Sequence, residues 1–184
     1  MPKNLILILG GARSGKSSYA AEIAKSLGNS VAYVATGNSS DPEMRRRIEE
    51  HRRHRSKEWR TVEAGKDAIP KLREVDKREG LIIFDCLTIY ISNLLEGEKF
   101  FEEIIEAQLE VEIEQEIDEL VETFKKLKSQ VIVVSNEVGS GIVPPFPAGR
   151  LFRDLAGRAN QAVAEAADEV YFMMAGIPVK IKST

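Results

Sequence analysis

Short, uninterrupted apolar runs alternate along the chain with longer segments in which apolar residues recur every three or four positions. The short runs are typical of strands buried on both faces of a parallel sheet. They predict strands at 5–9, 31–35, 81–85, 131–135 and 169–174, and an edge strand at 178–182. The longer segments predict helices at 16–27, 64–77, 87–95, 100–128 and 149–167, and the N-cap pattern Asp41-Pro42-Glu43 predicts another at 41–55. Strands that alternate with helices predict an α/β fold with a mostly parallel sheet and flanking helices.

Length and composition narrow the class of protein. The 184 residues, 43% of them hydrophobic, suffice for one core and predict a single domain over residues 1–184. A net charge of −3 argues against a general nucleic-acid-binding protein. No run approaches the roughly 20 apolar residues of a membrane span. The single cysteine, Cys86, excludes an intramolecular disulfide and fits a reducing compartment. We therefore expect a cytoplasmic protein in which Cys86 packs in the core.

The predicted helix at 100–128 is strongly acidic. It carries ten acidic residues and no basic one between Glu102 and Glu122. Its apolar residues form a stripe at helical spacing: Leu109, Ile113, Ile117, Leu120, Val121, Phe124 and Leu127. The simplest interpretation is a surface helix with a solvated acidic face. The alternative is contact with the basic segment of another subunit.

A glycine-rich segment follows the first predicted strand. The residues GGARSGKS at 10–17 match the pattern G-x-x-x-x-G-K-[ST]. Glycines let the backbone wrap a phosphate group, and successive N–H groups at a helix N-terminus bind the anion. Lys16 would act on the β- and γ-phosphates, and Ser17 would ligate Mg²⁺. The segment predicts a P-loop for a nucleoside triphosphate, made of Gly10, Gly11, Ala12, Arg13, Ser14, Gly15, Lys16 and Ser17.

Asp85 ends the apolar run LIIFD and supports the same prediction. A carboxylate at the tip of a buried strand is suitably placed to hold the Mg²⁺ of a P-loop nucleotide, directly or through water. An ordinary cap for the next helix is the alternative role. The N-K-x-D signature that reads guanine is absent from the sequence, so the residues leave ATP and GTP open.

The only two histidines, His51 and His54, lie in RRRIEEHRRHRSKEWRTVE at 45–63 among eight Arg and Lys residues. A neutral imidazole is a competent nucleophile towards phosphorus. The arginines would stabilise the charge of a triphosphate and of a pyrophosphate leaving group. Cationic surroundings also lower the pKa of a histidine and keep its ring neutral. The segment thus favours attack on a nucleotide phosphate over an ordinary solvated basic helix.

These segments together resemble one family over essentially the whole chain: the bifunctional adenosylcobinamide kinases / adenosylcobinamide-phosphate guanylyltransferases of cobalamin biosynthesis. The resemblance is specific because many motifs match in order and at the family's spacing. They are GGARSGKS (10–17), YVATG (33–37), EMRRRIEEHRRHR (43–55), WRTVE (59–63), FDCLT (84–88), SNEVGSGIVP (135–144), FRDLAGRANQ (152–161) and ADEVYFMMAGIPVKIK (167–182).

The resemblance implies two reactions on one chain. A nucleoside triphosphate phosphorylates the hydroxyl of the cobinamide side chain. A histidine then attacks the α-phosphate of GTP, releases pyrophosphate, and passes GMP to adenosylcobinamide phosphate, which gives adenosylcobinamide-GDP. The resemblance also implies a RecA-like P-loop core, a homotrimer, and Mg²⁺ as the only metal held by the protein, since the corrinoid brings its own cobalt.

The resemblance further implies roles for individual residues. The family context I-x-x-H-[RK] selects His51 as the nucleophile, with His54 as its competitor. The nucleotide would be bound by Ala35, Thr36, Gly37, Arg52, Arg53, His54, Arg55, Glu63 and Asp85. Asn136, Glu137 and Arg153 would position the corrinoid or its phosphate, although SNEVGSGIVP is also compatible with an ordinary turn and Arg153 with an ion pair to Asp154.

Two other functions fit a P-loop. One is a small kinase of nucleoside or cofactor type, which would transfer only the γ-phosphoryl group and would tolerate the loss of His51. The other is a regulatory or assembly ATPase, whose slow hydrolysis would be stimulated by a protein or a nucleic acid.

Overall fold

The computed structural model describes residues 5–28, 30–37, 56–95 and 103–183. Its strands are β1 (Leu5–Gly10), β2 (Val31–Ala35), β3 (Arg60–Glu63), β4 (Leu81–Asp85), β5 (Gln130–Val134), β6 (Glu169–Met174) and β7 (Ile177–Ser183). Its helices are α1 (Lys16–Leu27), α2 (Ala68–Val75), α3 (Leu87–Leu95), α4 (Glu103–Lys126) and α5 (Pro147–Ala166).

All these strands belong to one sheet, in the order β3-β2-β4-β5-β1-β6-β7. The pairs from β3 through β6 are parallel, and β7 runs antiparallel at the edge beside β6. The α/β fold with a mostly parallel sheet is therefore confirmed, as is the edge position of the last strand.

Two apolar cores lie on the two faces of the sheet. Successive residues of a strand point to opposite faces, so Leu7 of β1 joins one core and Ile8 joins the other. The first core is closed by α2, α3, α4 and α5, and the second by α1. Both residues are fully buried. The strands read as continuous apolar runs because helices cover both faces.

Most predicted elements are confirmed to within a few residues, and one strand was missed. The run RTVE is β3, the outermost strand beside β2. Its alternating intermediate and exposed residues give it no continuous apolar run, so the sequence pattern did not reveal it. The predicted helix at 41–55 lies outside the described residues. Within the described ranges, none of the helices has the length and apolar character needed to cross a bilayer.

The acidic helix α4 confirms the predicted apolar stripe, since its members from Leu109 to Phe124 are buried. Its acidic face is only partly solvated. Glu119 pairs with Arg73 of α2 at 2.9 Å, and Glu110 pairs with Arg158 of α5 at 2.7 Å. These carboxylates therefore find cationic partners within the same chain.

Candidate active site

The carboxyl ends of the parallel strands meet at one edge of the sheet. Ala35, which ends β2, is in register with both Asp85 of β4 and Glu63 of β3. Asp85 is in turn in register with Val134, the last residue of β5. The loop after β1 opens at the same edge, where Glu137 N donates to Gly10 O at 3.0 Å. Ligands of open parallel sheets bind in the crevice at this edge.

The loop between β1 and α1 has a conformation that requires its glycines. Gly10 has φ 152° and Gly15 has φ 97°, which residues with a Cβ rarely adopt. A Cβ on Gly10 would also lie 2.7 Å from Met173 O and from Ser14 Oγ. Gly15 is the N-cap of α1, so the backbone turns from the loop directly into the helix. The first N–H groups of that helix are available to an anion.

Lys16 is buried in this loop, with 7% of its surface exposed. Its Nζ donates to Gly11 O at 2.6 Å, so the ammonium group lies inside the loop. Burial lowers the pKa of Lys16 below its ordinary value, by more than the nearby acidic groups of Cys86 and Asp85 raise it. Ser14 Oγ is a buried oxygen for which the described residues provide no hydrogen-bond partner. A buried cation and an unpartnered hydroxyl in a glycine loop are suited to a phosphate group.

Ser17 and Asp85 form a pair of oxygen donors beside the loop. Ser17 Oγ donates to Asp85 Oδ2 at 2.8 Å, and the Tyr33 hydroxyl donates to the same oxygen. Hydroxyl and carboxylate oxygens suit Mg²⁺, which is usually held by one or two carboxylates together with substrate phosphates. In the described ranges no group of three or more His, Cys, Asp or Glu side chains is arranged to hold a metal ion. The oxygens of Ser17 and Asp85 fit a Mg²⁺ ion whose other ligands would include the phosphates of a bound nucleotide.

Thr36 connects the ends of β2 and β4. Its Oγ1 accepts from Cys86 N at 2.7 Å and lies 2.8 Å from Cys86 O, while Thr36 N donates to Asp85 O at 3.0 Å. Asn93 Nδ2 of α3 donates to Thr36 O at 2.8 Å. Thr36 is fully buried. It thus acts within the protein as a brace for the Asp85–Cys86 segment. Cys86 is buried as predicted, and burial raises the pKa of its thiol to about 11.

A network of hydrogen-bonded polar side chains lies behind the end of β5. Ser135 Oγ donates to Asn160 Oδ1 at 2.6 Å, and Asn160 Nδ2 donates to Asn136 O at 3.1 Å. Asn136 Nδ2 then donates to Thr88 Oγ1 at 2.8 Å. This polar network fixes the backbone that contacts Gly10. Sequence reasoning missed Ser135, Asn160, Thr88, Asn93 and Tyr33; the available signal was a polar residue inside an otherwise apolar segment.

The remaining predicted residues have different surroundings. Glu137 Oε1 accepts from Gly139 N at 2.6 Å and from Ser140 N at 3.0 Å, so one of its oxygens stabilises its own turn. Glu63 is exposed at the end of β3, in the same row as Asp85. Arg153 lies on α5, and its Nε pairs with Asp154 at 3.7 Å. The ion pair that was the alternative for Arg153 therefore forms.

The predicted nucleophile and its basic neighbours lie outside the described residues. These are His51, Arg52, Arg53, His54 and Arg55. The other predicted nucleotide-binding residues, from the P-loop to Asp85, line the carboxyl edge of the sheet described above.

Comparison with known proteins gives a consistent result. A family model described as cobinamide kinase / cobinamide phosphate guanyltransferase matches residues 6–181. The chain is 40% identical over 183 residues to the bifunctional adenosylcobalamin biosynthesis protein CobU of Escherichia coli (strain K12), covering 97% of this chain and 99% of that protein. It is 39% identical over 184 residues to the bifunctional adenosylcobalamin biosynthesis protein CobP of Pseudomonas aeruginosa, covering 96% of each chain.

A solved structure supports the fold independently. It is described as a prototypical ATPase from the type III secretion system of pathogenic bacteria, and it matches with a TM-score of 0.56 and 14% identity. The match covers 94% of this chain and 52% of that chain, so this chain spans about half the length of that ATPase. At this identity the likeness shows the fold alone, and it confirms the expected RecA-like core.

Proposed function

The chain belongs to the cobinamide kinase / cobinamide phosphate guanyltransferase family, and from that premise we propose that it is a bifunctional transferase of cobalamin biosynthesis. It phosphorylates adenosylcobinamide with ATP or GTP, and then transfers GMP from GTP to the phosphorylated product through a guanylylated His51. The products of the second reaction are adenosylcobinamide-GDP and pyrophosphate. Residues 1–184 act as one P-loop nucleotide-binding domain.

In the first reaction the substrate hydroxyl oxygen attacks the γ-phosphorus and gives up its proton to the solvent. The bond to the β-phosphate oxygen breaks, and the nucleoside diphosphate leaves. Lys16 binds the β- and γ-phosphates in place of Gly11 O. Its 2.6 Å contact with Gly11 O, which holds the ammonium group inside the loop, supports this role. The N–H groups of residues 10–17 orient the phosphates, which converts the transfer into a reaction between positioned groups.

Ser17 and Asp85 would hold the magnesium ion of the nucleotide, and the oxygen pair at 2.8 Å is the observation in favour. When bound, Mg²⁺ would neutralise negative charge on the phosphates. Tyr33 and Thr36 keep the Asp85 carboxylate and its backbone in place.

In the second reaction a neutral imidazole nitrogen of His51 attacks the α-phosphorus of GTP. A nitrogen–phosphorus bond forms, the bond to the β-phosphate oxygen breaks, and pyrophosphate leaves. A phosphate oxygen of adenosylcobinamide phosphate then attacks the same phosphorus and frees the imidazole. Arg52, Arg53 and Arg55 stabilise the charge on the triphosphate and on the leaving pyrophosphate. Ala35, Gly37 and Glu63, around the ends of β2 and β3, complete the nucleotide site, and Thr36 supports it from within through its hydrogen bonds to Asp85 and Cys86.

The observation that carries the proposal is the convergence of Lys16, Ser17 and Asp85 at one sheet edge, in a chain whose family match covers residues 6–181. Asn136, Glu137 and Arg153 are proposed for the corrinoid end of the site. The homotrimer implied by the resemblance is part of the proposal, and light scattering of the purified protein measures it.

The test separates the two reactions. The protein is incubated with adenosylcobinamide and γ-labelled ATP, and separately with adenosylcobinamide phosphate and α-labelled GTP. We expect label in the corrinoid product in both cases, loss of both reactions in Lys16→Ala, and loss of the second in His51→Ala but not in His54→Ala. A wild-type protein that labels only with the γ-phosphate would reduce the function to that of a kinase.

A further inference from the structure

The loop at 138–146, which follows the end of β5, exposes three large apolar side chains. Ile142 is 96% exposed, Val143 57% and Phe146 73%. They lie within five residues of one another in a segment rich in glycine and proline. Exposed apolar side chains that cluster usually mark a binding surface, whereas isolated ones are common on soluble proteins.

The loop is held in this conformation at both ends. On one side Glu137 Oε1 accepts from Gly139 N at 2.6 Å. On the other side Arg150 donates through one guanidinium nitrogen to Pro145 O at 2.9 Å and to Pro144 O at 3.3 Å. The exposed apolar side chains are therefore carried on a braced segment.

The base of the loop is joined to the phosphate end of the site. Glu137 N donates to Gly10 O at 3.0 Å, and the polar network of Ser135, Asn160, Asn136 and Thr88 fixes the residues just before the loop. A ligand resting on Ile142 and Phe146 would thus share an edge of the sheet with a triphosphate in the P-loop.

We propose that Ile142, Val143 and Phe146 form the docking surface for the corrin ring of the acceptor substrate. This inference rests on the proposed function, since that function supplies a large acceptor. A corrin is a broad macrocycle whose rim carries methyl groups as well as amide side chains. Its ring and methyl groups offer apolar contacts to aliphatic and aromatic side chains. The loop would hold the ring while the side-chain hydroxyl, and later its phosphate, reaches towards the P-loop.

An exposed apolar residue of β7 provides a control for the proposed docking surface. β7 also exposes apolar residues, with Ile181 60% exposed. β7 runs antiparallel to β6, so Ile181 lies towards the end of the sheet opposite the P-loop. Replacement of Ile181 removes a similarly exposed isoleucine without touching the proposed docking surface.

The test compares Ile142→Ser, Phe146→Ser and the control Ile181→Ser. We measure binding of cobinamide by equilibrium dialysis, the KM for cobinamide, and labelling of the protein by α-labelled GTP without corrinoid. For Phe146→Ser we expect affinity for cobinamide to fall about tenfold, the loss associated with one buried aromatic contact. A smaller fall is expected for Ile142→Ser, and none for Ile181→Ser. Labelling by GTP and the unfolding temperature should stay at wild-type values in all three variants.

Three results would overturn the inference or its premise separately. Unchanged affinity for cobinamide in both loop variants refutes the docking surface and leaves the proposed function intact. A change in molar mass by light scattering with unchanged cobinamide affinity assigns the loop to a contact between copies of this chain. A wild-type protein that neither binds nor modifies cobinamide refutes the proposed function itself.

Discussion

The carboxyl edge of the sheet and the acidic helix α4 both concentrate polar side chains, and they use them differently. At the sheet edge Thr36 and Ser135 are fully buried, and their hydrogen bonds join the ends of neighbouring strands to one another and to the helices. Along α4 the charges pair at the surface, as in Arg73–Glu119, whose side chains are 56% and 54% exposed.

This difference shows that a binding site forms where polar side chains converge on one point, rather than where charged residues are most numerous. α4 carries many more acids than the sheet edge, yet its described ion pairs are spread along the helix. Some are directed to α2 and α5, and others, such as Glu122 with Lys125, lie within α4 itself. At the edge a single carboxylate, Asp85, receives hydrogen bonds from Ser17 and Tyr33 beside a buried lysine. Exposed ion pairs contribute little to stability because water screens them, whereas buried polar groups are costly to leave unpaired.

The largest effect is expected at Lys16. Lys16→Ala removes the cation from the P-loop and should lower the rates of both phosphoryl and guanylyl transfer by about 10²–10³-fold. Lys25→Ala, on the exposed last turn of the same helix, is the matched control and should retain both rates. Steady-state rates with each nucleotide measure the difference, and equal rates in the two variants would contradict the role of Lys16.

The second-largest effect on activity is expected at Asp85. Asp85→Asn keeps the shape of the side chain but removes its charge, so the activity should fall about 100-fold and should need more Mg²⁺ for half-saturation. The comparison is a magnesium titration of this variant against Asp154→Asn, which changes an exposed aspartate of α5. A wild-type magnesium dependence in Asp85→Asn would remove Asp85 from the metal site.

Cys86, which follows Asp85 at the sheet edge, makes the stability of the protein depend on alkaline pH. Its folded pKa of about 11 lies above the ordinary value of 9.0, because burial disfavours the thiolate. The folded state therefore holds the proton more tightly, and this contribution of about 2–3 kcal/mol is present below pH 9 and is lost as the pH rises towards 11. Urea unfolding from pH 8 to 11 should show a shallower loss in Cys86→Ala than in the wild type. Identical slopes would contradict the prediction.

Asn160 tests the buried polar network. Asn160→Leu leaves Ser135 Oγ and Asn136 O without their partner, which should lower the free energy of unfolding by about 1–3 kcal/mol. Gln161→Leu, one residue further along α5 and exposed, is the control. Urea unfolding measures the free energy of unfolding of both variants. Equal values for the two variants would mean that the network does not stabilise the fold.

The smallest effect is expected along α4. Removal of the Arg73–Glu119 pair should change the free energy of unfolding by no more than about 1 kcal/mol, because both side chains are more than half exposed. A double-mutant cycle with Arg73→Ala and Glu119→Ala measures the coupling, and both transfer rates should remain at wild-type values. A coupling free energy much larger than about 1 kcal/mol would contradict the view that the exposed ion pairs of α4 contribute little to stability.

Much of the fold could be read from the sequence because burial on both faces leaves continuous apolar runs. Leu5–Gly10 and Leu81–Asp85 fall where such runs predict them. β3 could not be read, since a four-residue edge strand with intermediate and exposed positions lacks that signal. The P-loop followed from spacing, whereas the hydrogen bonds of Asn160 and Thr36 depend on contacts across about 25 to 50 residues, which local patterns do not encode.

Labelling of the protein itself by GTP, in the presence of Mg²⁺ and without corrinoid, tests the central claim most directly. We predict that α-labelled GTP gives an acid-labile, alkali-stable adduct, that γ-labelled GTP gives none, and that the adduct is lost in His51→Ala. No α-label on the wild-type protein would contradict a covalent guanylyl intermediate, and label that persists in His51→Ala would move the role to His54.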